Sequence, residues 1–120
     1  MITCGIDMIE VHRIDEAILR HGDRFFNRFF TAQELIDSHG RTPALAARFA
    51  AKEAAAKALG TGIGDVEWKE IEIVKGPRGE PILKLNGKAQ ALAESLGWRE
   101  WSVSLSHTHE HAIAMVIASD

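Results

Sequence analysis

The sequence predicts an α+β fold, with a small antiparallel-rich sheet packed against one long central helix in a single domain spanning residues 1–120. Three observations carry this. Polarity alternates near the N-terminus, in the middle and near the C-terminus, which is the period-2 signature of strands. Pro43 to Gly60 reads as one uninterrupted helix, and half of its residues are alanine. So smooth a helix needs a flat surface to approach, and a sheet supplies one.

Ile2, Cys4, Ile6 and Met8 alternate with Thr3, Gly5 and Asp7, which predicts a first strand with Asp7 near its C-terminal end. Cys4, the only cysteine, cannot form an internal disulfide and is expected to be a small buried thiol. Val11 to His21 follows as a helix: Ile14, Ala17 and Ile18 keep helical spacing, and Gly22 ends it by tolerating a left-handed backbone. Arg13, Glu16 and Arg20 lie off that apolar stripe. Phe25, Phe26, Phe29 and Phe30 crowd the next stretch and read as core. Thr31-Ala32-Gln33-Glu34 is a capping box that opens a short helix, because Thr and Glu each accept from the other's backbone N–H. The long helix has Pro43 at its first position and Gly60 just past its end, with Ala47, Ala51, Ala54 and Ala58 on one face. Gly60 to Gly64 is a linker. Trp68 to Val74 and Ile82 to Leu85 form a hairpin around Gly76-Pro77-Arg78-Gly79. Lys88 to Leu96 is a helix ended by Gly97, and Trp101 to His107 pairs antiparallel with Ile113 to Ala118 around a turn at Thr108 to Glu110. In that last strand Ile113, Met115 and Ile117 face one way and Ala112, Ala114, Val116 and Ala118 the other. Both faces are therefore expected to be covered, by a helix or by a neighbouring subunit.

Composition narrows the function. With 46% hydrophobic and 26% charged residues the chain builds a real core, unlike a disordered segment. No apolar run is long enough for a bilayer, and the first residues lack the features of a signal peptide, so a soluble cytoplasmic protein is expected. A net charge of −3 excludes a non-specific nucleic-acid binder. An enzyme, a small-ligand binder or an interaction module remains.

Two carboxylates stand out. Helical spacing places Glu53 beside Leu45, Phe49 and Ala56, where an ionised side chain is costly without a partner, and Lys57, one turn later, is its candidate. On spacing alone, an ordinary i, i+4 ion pair is the simpler account of that arrangement. Asp7 ends an apolar strand, as a turn residue or as part of a site at a strand end. Two carboxylates with a lysine suit Mg²⁺ and a phosphorylated substrate, since Mg²⁺ takes few protein ligands and keeps water or phosphate oxygens on the rest. The His107-Thr108-His109-Glu110-His111 cluster matches no zinc spacing, Ser106-His107 lacks a nucleophile elbow, and the Gly60 to Gly64 loop follows a helix where a phosphate-binding loop would precede one.

Four segments taken in order change the odds: Gly5-Ile6-Asp7-Met8 with Arg13-Ile14; Phe30-Thr31-Ala32-Gln33-Glu34; RFAAKEAAAKALGTG from Arg48 to Gly62; and Ser104-Leu105-Ser106-His107-Thr108. Together they closely resemble the holo-acyl-carrier-protein synthases, the short trimeric type of the 4′-phosphopantetheinyl transferase superfamily. The resemblance spans essentially the whole chain. It implies the fold of that superfamily, and transfer of 4′-phosphopantetheine from coenzyme A to a serine of apo acyl carrier protein with Mg²⁺, releasing adenosine 3′,5′-bisphosphate. Carried over, it makes Asp7 and Glu53 the metal ligands, Lys57 the phosphate-neutralising group, and Arg48, Gly60, His107 and Thr108 parts of the coenzyme A pocket. Either Glu53 or a metal-held water takes the serine proton. Arg13, helped by Arg20, Arg24 and Arg28, is expected to dock the acidic carrier. A homotrimer with active sites between protomers is implied as well. A transferase dedicated to polyketide or peptide carriers, and a coenzyme A-binding module without turnover, stay open at this point.

Overall fold

The computed structural model describes residues 1–120. Strand β1 (Ile2–Glu10) runs directly into helix α1 (Val11–His21), followed by α2 (Asp23–Phe29), α3 (Ala32–Ser38) and the long α4 (Thr42–Leu59). A 3-10 turn (Trp68–Glu70) leads into the hairpin of β2 (Ile71–Lys75) and β3 (Pro81–Leu85). Helix α5 (Gly87–Leu96) precedes the closing strands β4 (Glu100–His107) and β5 (His111–Ser119). Strand β5 is central in an antiparallel sheet of order β1-β5-β4, while β2 and β3 form a separate two-stranded sheet. The α+β expectation stands.

Helix α4 lies across β1 and β5, and the contact is small against small. Ala50, Ala51, Ala54, Ala55 and Ala58 are buried on the helix, Ala114 and Val116 on β5. At Gly5 of β1 a side chain would run into the Ala54 carbonyl, so only glycine permits this approach. The Thr3 hydroxyl donates to the Ala58 carbonyl at 2.9 Å and fixes the register of strand against helix. Gly5→Ala should therefore cost about 3 kcal/mol, read as a lower denaturant midpoint at unchanged slope. Stability within about 0.5 kcal/mol of the parent would mean that the helix sits further from the sheet.

Several local expectations are corrected. The phenylalanine-rich stretch is itself helical: α2 follows Gly22, whose φ of 54° breaks the chain direction after α1. Trp68 to Glu70 is a 3-10 turn, and the strand begins only at Ile71. Cys4 is exposed. Because Thr3, Gly5 and Asp7 face α4, Ile2, Cys4, Ile6 and Met8 face outward, opposite Ile117, Met115 and Ile113 of β5. This outer face is apolar and uncovered in one chain, with Ile2 74%, Ile6 55%, Met8 63% and Met115 43% exposed. No helix of the chain is long and apolar enough to cross a membrane.

Candidate active site where β1 meets α4

The close approach at Gly5 decides where the carboxylates fall. Asp7 is two residues beyond Gly5 on the same face of β1, and Glu53 immediately precedes Ala54, so strand and helix bring both side chains together. Burial, then the charge of the neighbouring Asp7 carboxylate, push the Glu53 carboxyl above its ordinary 4.5, with Lys57 partly opposing. Lys57 itself pairs with Asp7, not with its helical neighbour: Nζ donates to Asp7 Oδ1 at 3.1 Å and to the Ile6 carbonyl at 2.9 Å. The expected Glu53–Lys57 pair is corrected accordingly. The strand passes nearer the ammonium than the residue one turn back, because β1 and α4 nearly touch.

The donor set fits a magnesium ion. Two neighbouring carboxylates, with the Glu53 proton affinity raised by burial and by the Asp7 charge, offer the few hard oxygen donors that a magnesium ion takes from protein.

Asp7 and Glu53 open onto a groove of about 640 Å³ between β1, α1, α2 and α4. Arg13, Arg24 and Arg28 line it along with His21, while Phe25, Phe29 and Phe49 form an apolar wall. Three of the four arginines singled out from sequence therefore share the carboxylates' groove. Arg20 lies outside it, in a shallow neighbouring cleft with Arg13 and Glu16. The aromatic wall escaped the sequence reading, which took these rings simply as core.

Arg48, Gly60, His107 and Thr108 lie elsewhere. Arg48 is 6% exposed, its guanidinium donating to the carbonyls of Ile73 and Ala44, each at 3.2 Å. It borders a second cleft of about 320 Å³ with Arg41, Lys75 and His107. Arg41 and Lys75 carry no sequence signal of their own, since both are exposed and outside every motif. Asp37 is the cleft's one carboxylate. Its pKa is held below 3.8, chiefly by the Lys75 N–H that it accepts at 2.8 Å. Thr108 shapes the β4–β5 turn, its hydroxyl accepting from the N–H of Glu110 and of His111. Gly60 caps α4 in the left-handed conformation at φ 82°. In a single chain, then, Asp7, Glu53 and Lys57 come together, and the remaining expected pocket residues do not join them.

A carboxylate pair with an ammonium beside an arginine-lined groove is equipment suited to a phosphoryl-group transferase. Residues 3–116 match the family model described as the 4′-phosphopantetheinyl transferase superfamily, and the chain belongs to that superfamily. A holo-[acyl-carrier-protein] synthase from Dehalococcoides mccartyi is 50% identical over the full length of both chains. The crystal structure of holo-[acyl-carrier-protein] synthase from Neisseria meningitidis superposes with a TM-score of 0.90 at 34% identity, covering 100% of each chain. The Helicobacter pylori synthase, solved in complex with coenzyme A, superposes with a TM-score of 0.89 at 32% identity over 97% of this chain and 99% of that one.

Proposed function

We propose that this chain transfers 4′-phosphopantetheine from coenzyme A to a serine of an apo acyl carrier protein of fatty acid biosynthesis. The serine Oγ forms a bond to the phosphorus bearing the pantetheine, the pyrophosphate P–O bond breaks, and adenosine 3′,5′-bisphosphate leaves with the electron pair. The observation that carries the reading is the Asp7–Glu53 pair with Lys57, in a chain matching the superfamily over nearly its whole length. Magnesium, held by Asp7 and Glu53, would supply charge neutralisation at the pyrophosphate when bound. Lys57 is 55% exposed and tethered by one carboxylate and one carbonyl, so its ammonium can turn to the phosphate oxygens while still anchored on β1. Glu53, whose proton affinity burial and Asp7 raise, is suited to accept the serine proton.

Arg13, Arg24 and Arg28 present guanidinium groups to an acidic carrier along the groove that ends at Glu53. Arg13→Ala should raise the carrier KM about tenfold and leave coenzyme A binding unchanged, as separate titrations would show. Equal loss of both would move Arg13 into the nucleotide site.

The same reading assigns a homotrimer. The uncovered apolar sheet face asks for a partner surface, and the cleft of Arg41, Arg48, Lys75 and His107 asks for anionic oxygens. Cyclic association lets one chain's cationic cleft and its neighbour's Asp7, Glu53 and Lys57 hold one coenzyme A. We place the reaction in the cytoplasm, where coenzyme A is the donor and an exposed free Cys4 stays reduced. Incubation with coenzyme A, Mg²⁺ and apo carrier tests the whole reading: the carrier must gain the mass of phosphopantetheine. Coenzyme A binding without that gain would reduce the chain to a binding module.

A further inference from the structure

Helix α4 carries a second charged pair that the chemistry above does not use. Lys52 directly precedes Glu53, and its ammonium lies 2.8 Å from the Glu34 carboxylate of α3, both side chains fully buried. Every ammonium hydrogen has an acceptor, since Nζ also donates to the carbonyls of Trp68 at 3.0 Å and Ile71 at 2.6 Å. Glu34 is engaged on both oxygens: Oε1 also accepts from the Thr31 N–H at 3.0 Å, and Oε2 from the Ile73 N–H at 3.0 Å. A buried ion pair gains little net stability over apolar side chains of similar volume, which turns attention to the geometry this one specifies. That geometry is the place of Trp68. While Lys52 holds its carbonyl, the indole stacks on Phe49 with ring centroids 4.6 Å apart and planes at 26°, and meets Phe29 edge-on at 4.8 Å. Phe29 and Phe49 are the wall of the groove that contains Asp7 and Glu53.

We propose that Glu34 and Lys52 are positioning residues for carrier recognition: by pinning Trp68 they hold the Phe29–Phe49 wall in the shape against which the carrier's serine-bearing segment seats beside Glu53. This rests on the transferase reading above. Neither residue lines the groove or the cationic cleft. Loss of the pair loosens the wall, weakening the carrier's fit and sparing coenzyme A.

The test is the paired variant Glu34→Leu with Lys52→Met, which removes both charges together and strands neither. Trp98→Phe and Trp101→Phe in the same chain leave Trp68 as the sole fluorescent reporter. Acrylamide should quench Trp68 more readily in the paired variant, and the carrier KM should rise about tenfold while kcat and the coenzyme A KM stay within about twofold. Trp68→Leu, made separately, keeps the buried pair and should reproduce the rise in carrier KM. It decides the matter if the paired variant does not fold. An unchanged carrier KM in Trp68→Leu overturns the proposal, and so does a folded paired variant whose Trp68 quenching is unchanged. Failure of the parent chain to transfer at all would count against the transferase reading instead, and the quenching comparison, which needs no turnover, would still show whether the pair pins Trp68.

Discussion

Glu53→Gln should lower the transfer rate roughly a thousandfold while leaving the metal-free protein at least as stable as its parent. Glutamine keeps the volume and can hydrogen-bond Asp7, and it lacks the negative charge a divalent cation needs. The stability effect follows from linkage. In the folded parent the Glu53 pKa is raised above 4.5 by burial and by Asp7, so the native state binds that proton more tightly than the unfolded chain. Its contribution is fully present below about pH 4.5 and is lost as pH rises through the raised folded pKa. Glutamine has no such loss. Thermal unfolding of both proteins without divalent cation should show the variant gaining on the parent across that window, then a constant gap above it. Asp7→Asn should be comparably inactive, because it removes the other ligand and the partner of Lys57. A near-normal rate at limiting Mg²⁺ in either variant would remove that residue from the metal site, and parallel pH profiles would show that burial does not load Glu53.

Met115→Asp should leave 13.2 kDa monomers in place of the proposed trimer and lower activity by roughly a hundredfold. Met115 lies opposite Ile6 on the outward face of the sheet, far from Asp7's side of β1, so the charge falls where a neighbouring chain is proposed to pack. Sedimentation of the parent should give a particle of three chains. Mixing Glu53→Gln with His107→Ala should then restore part of the activity lost in each, because a trimer can form sites with both intact halves. A fully active monomer would refute both the assembly and the shared site.

The carboxylate site was legible because its residues lie in motifs whose spacing survives folding: Asp7 on a period-2 strand, Glu53 and Lys57 on a period-3.6 helix. Which groups those motifs would press together was not. Helical spacing offers Glu53 to Lys57, but the distance that matters runs between elements, and β1 delivers Asp7 first. Cys4 shows a related blind spot. Alternation separates two faces without saying which turns inward, and apolar Ile2, Ile6 and Met8 suggest the wrong one. The alanine helix demands the smaller set, Thr3, Gly5 and Asp7, and leaves the larger side chains outside. The four phenylalanines hid α2 because aromatic side chains weaken a helical signal while burying well in any conformation. Lys52 hid in plain view, since a lysine inside an alanine-rich helix ordinarily faces water.

Gly5 gives the proposed metal site an unusual kind of vulnerability. The separation of the two carboxylates is a distance between backbones, and that distance is set by the absence of a side chain at a position that performs no chemistry. Any residue larger than glycine wedges β1 away from the Ala54 carbonyl, and the wedge sits two residues from Asp7 and next to Glu53's neighbour. The pair would open before the core came apart. A folded Gly5 variant should thus show weakened divalent-cation binding with every ligand still present, so the span of the site is written in the chain as a missing methyl group.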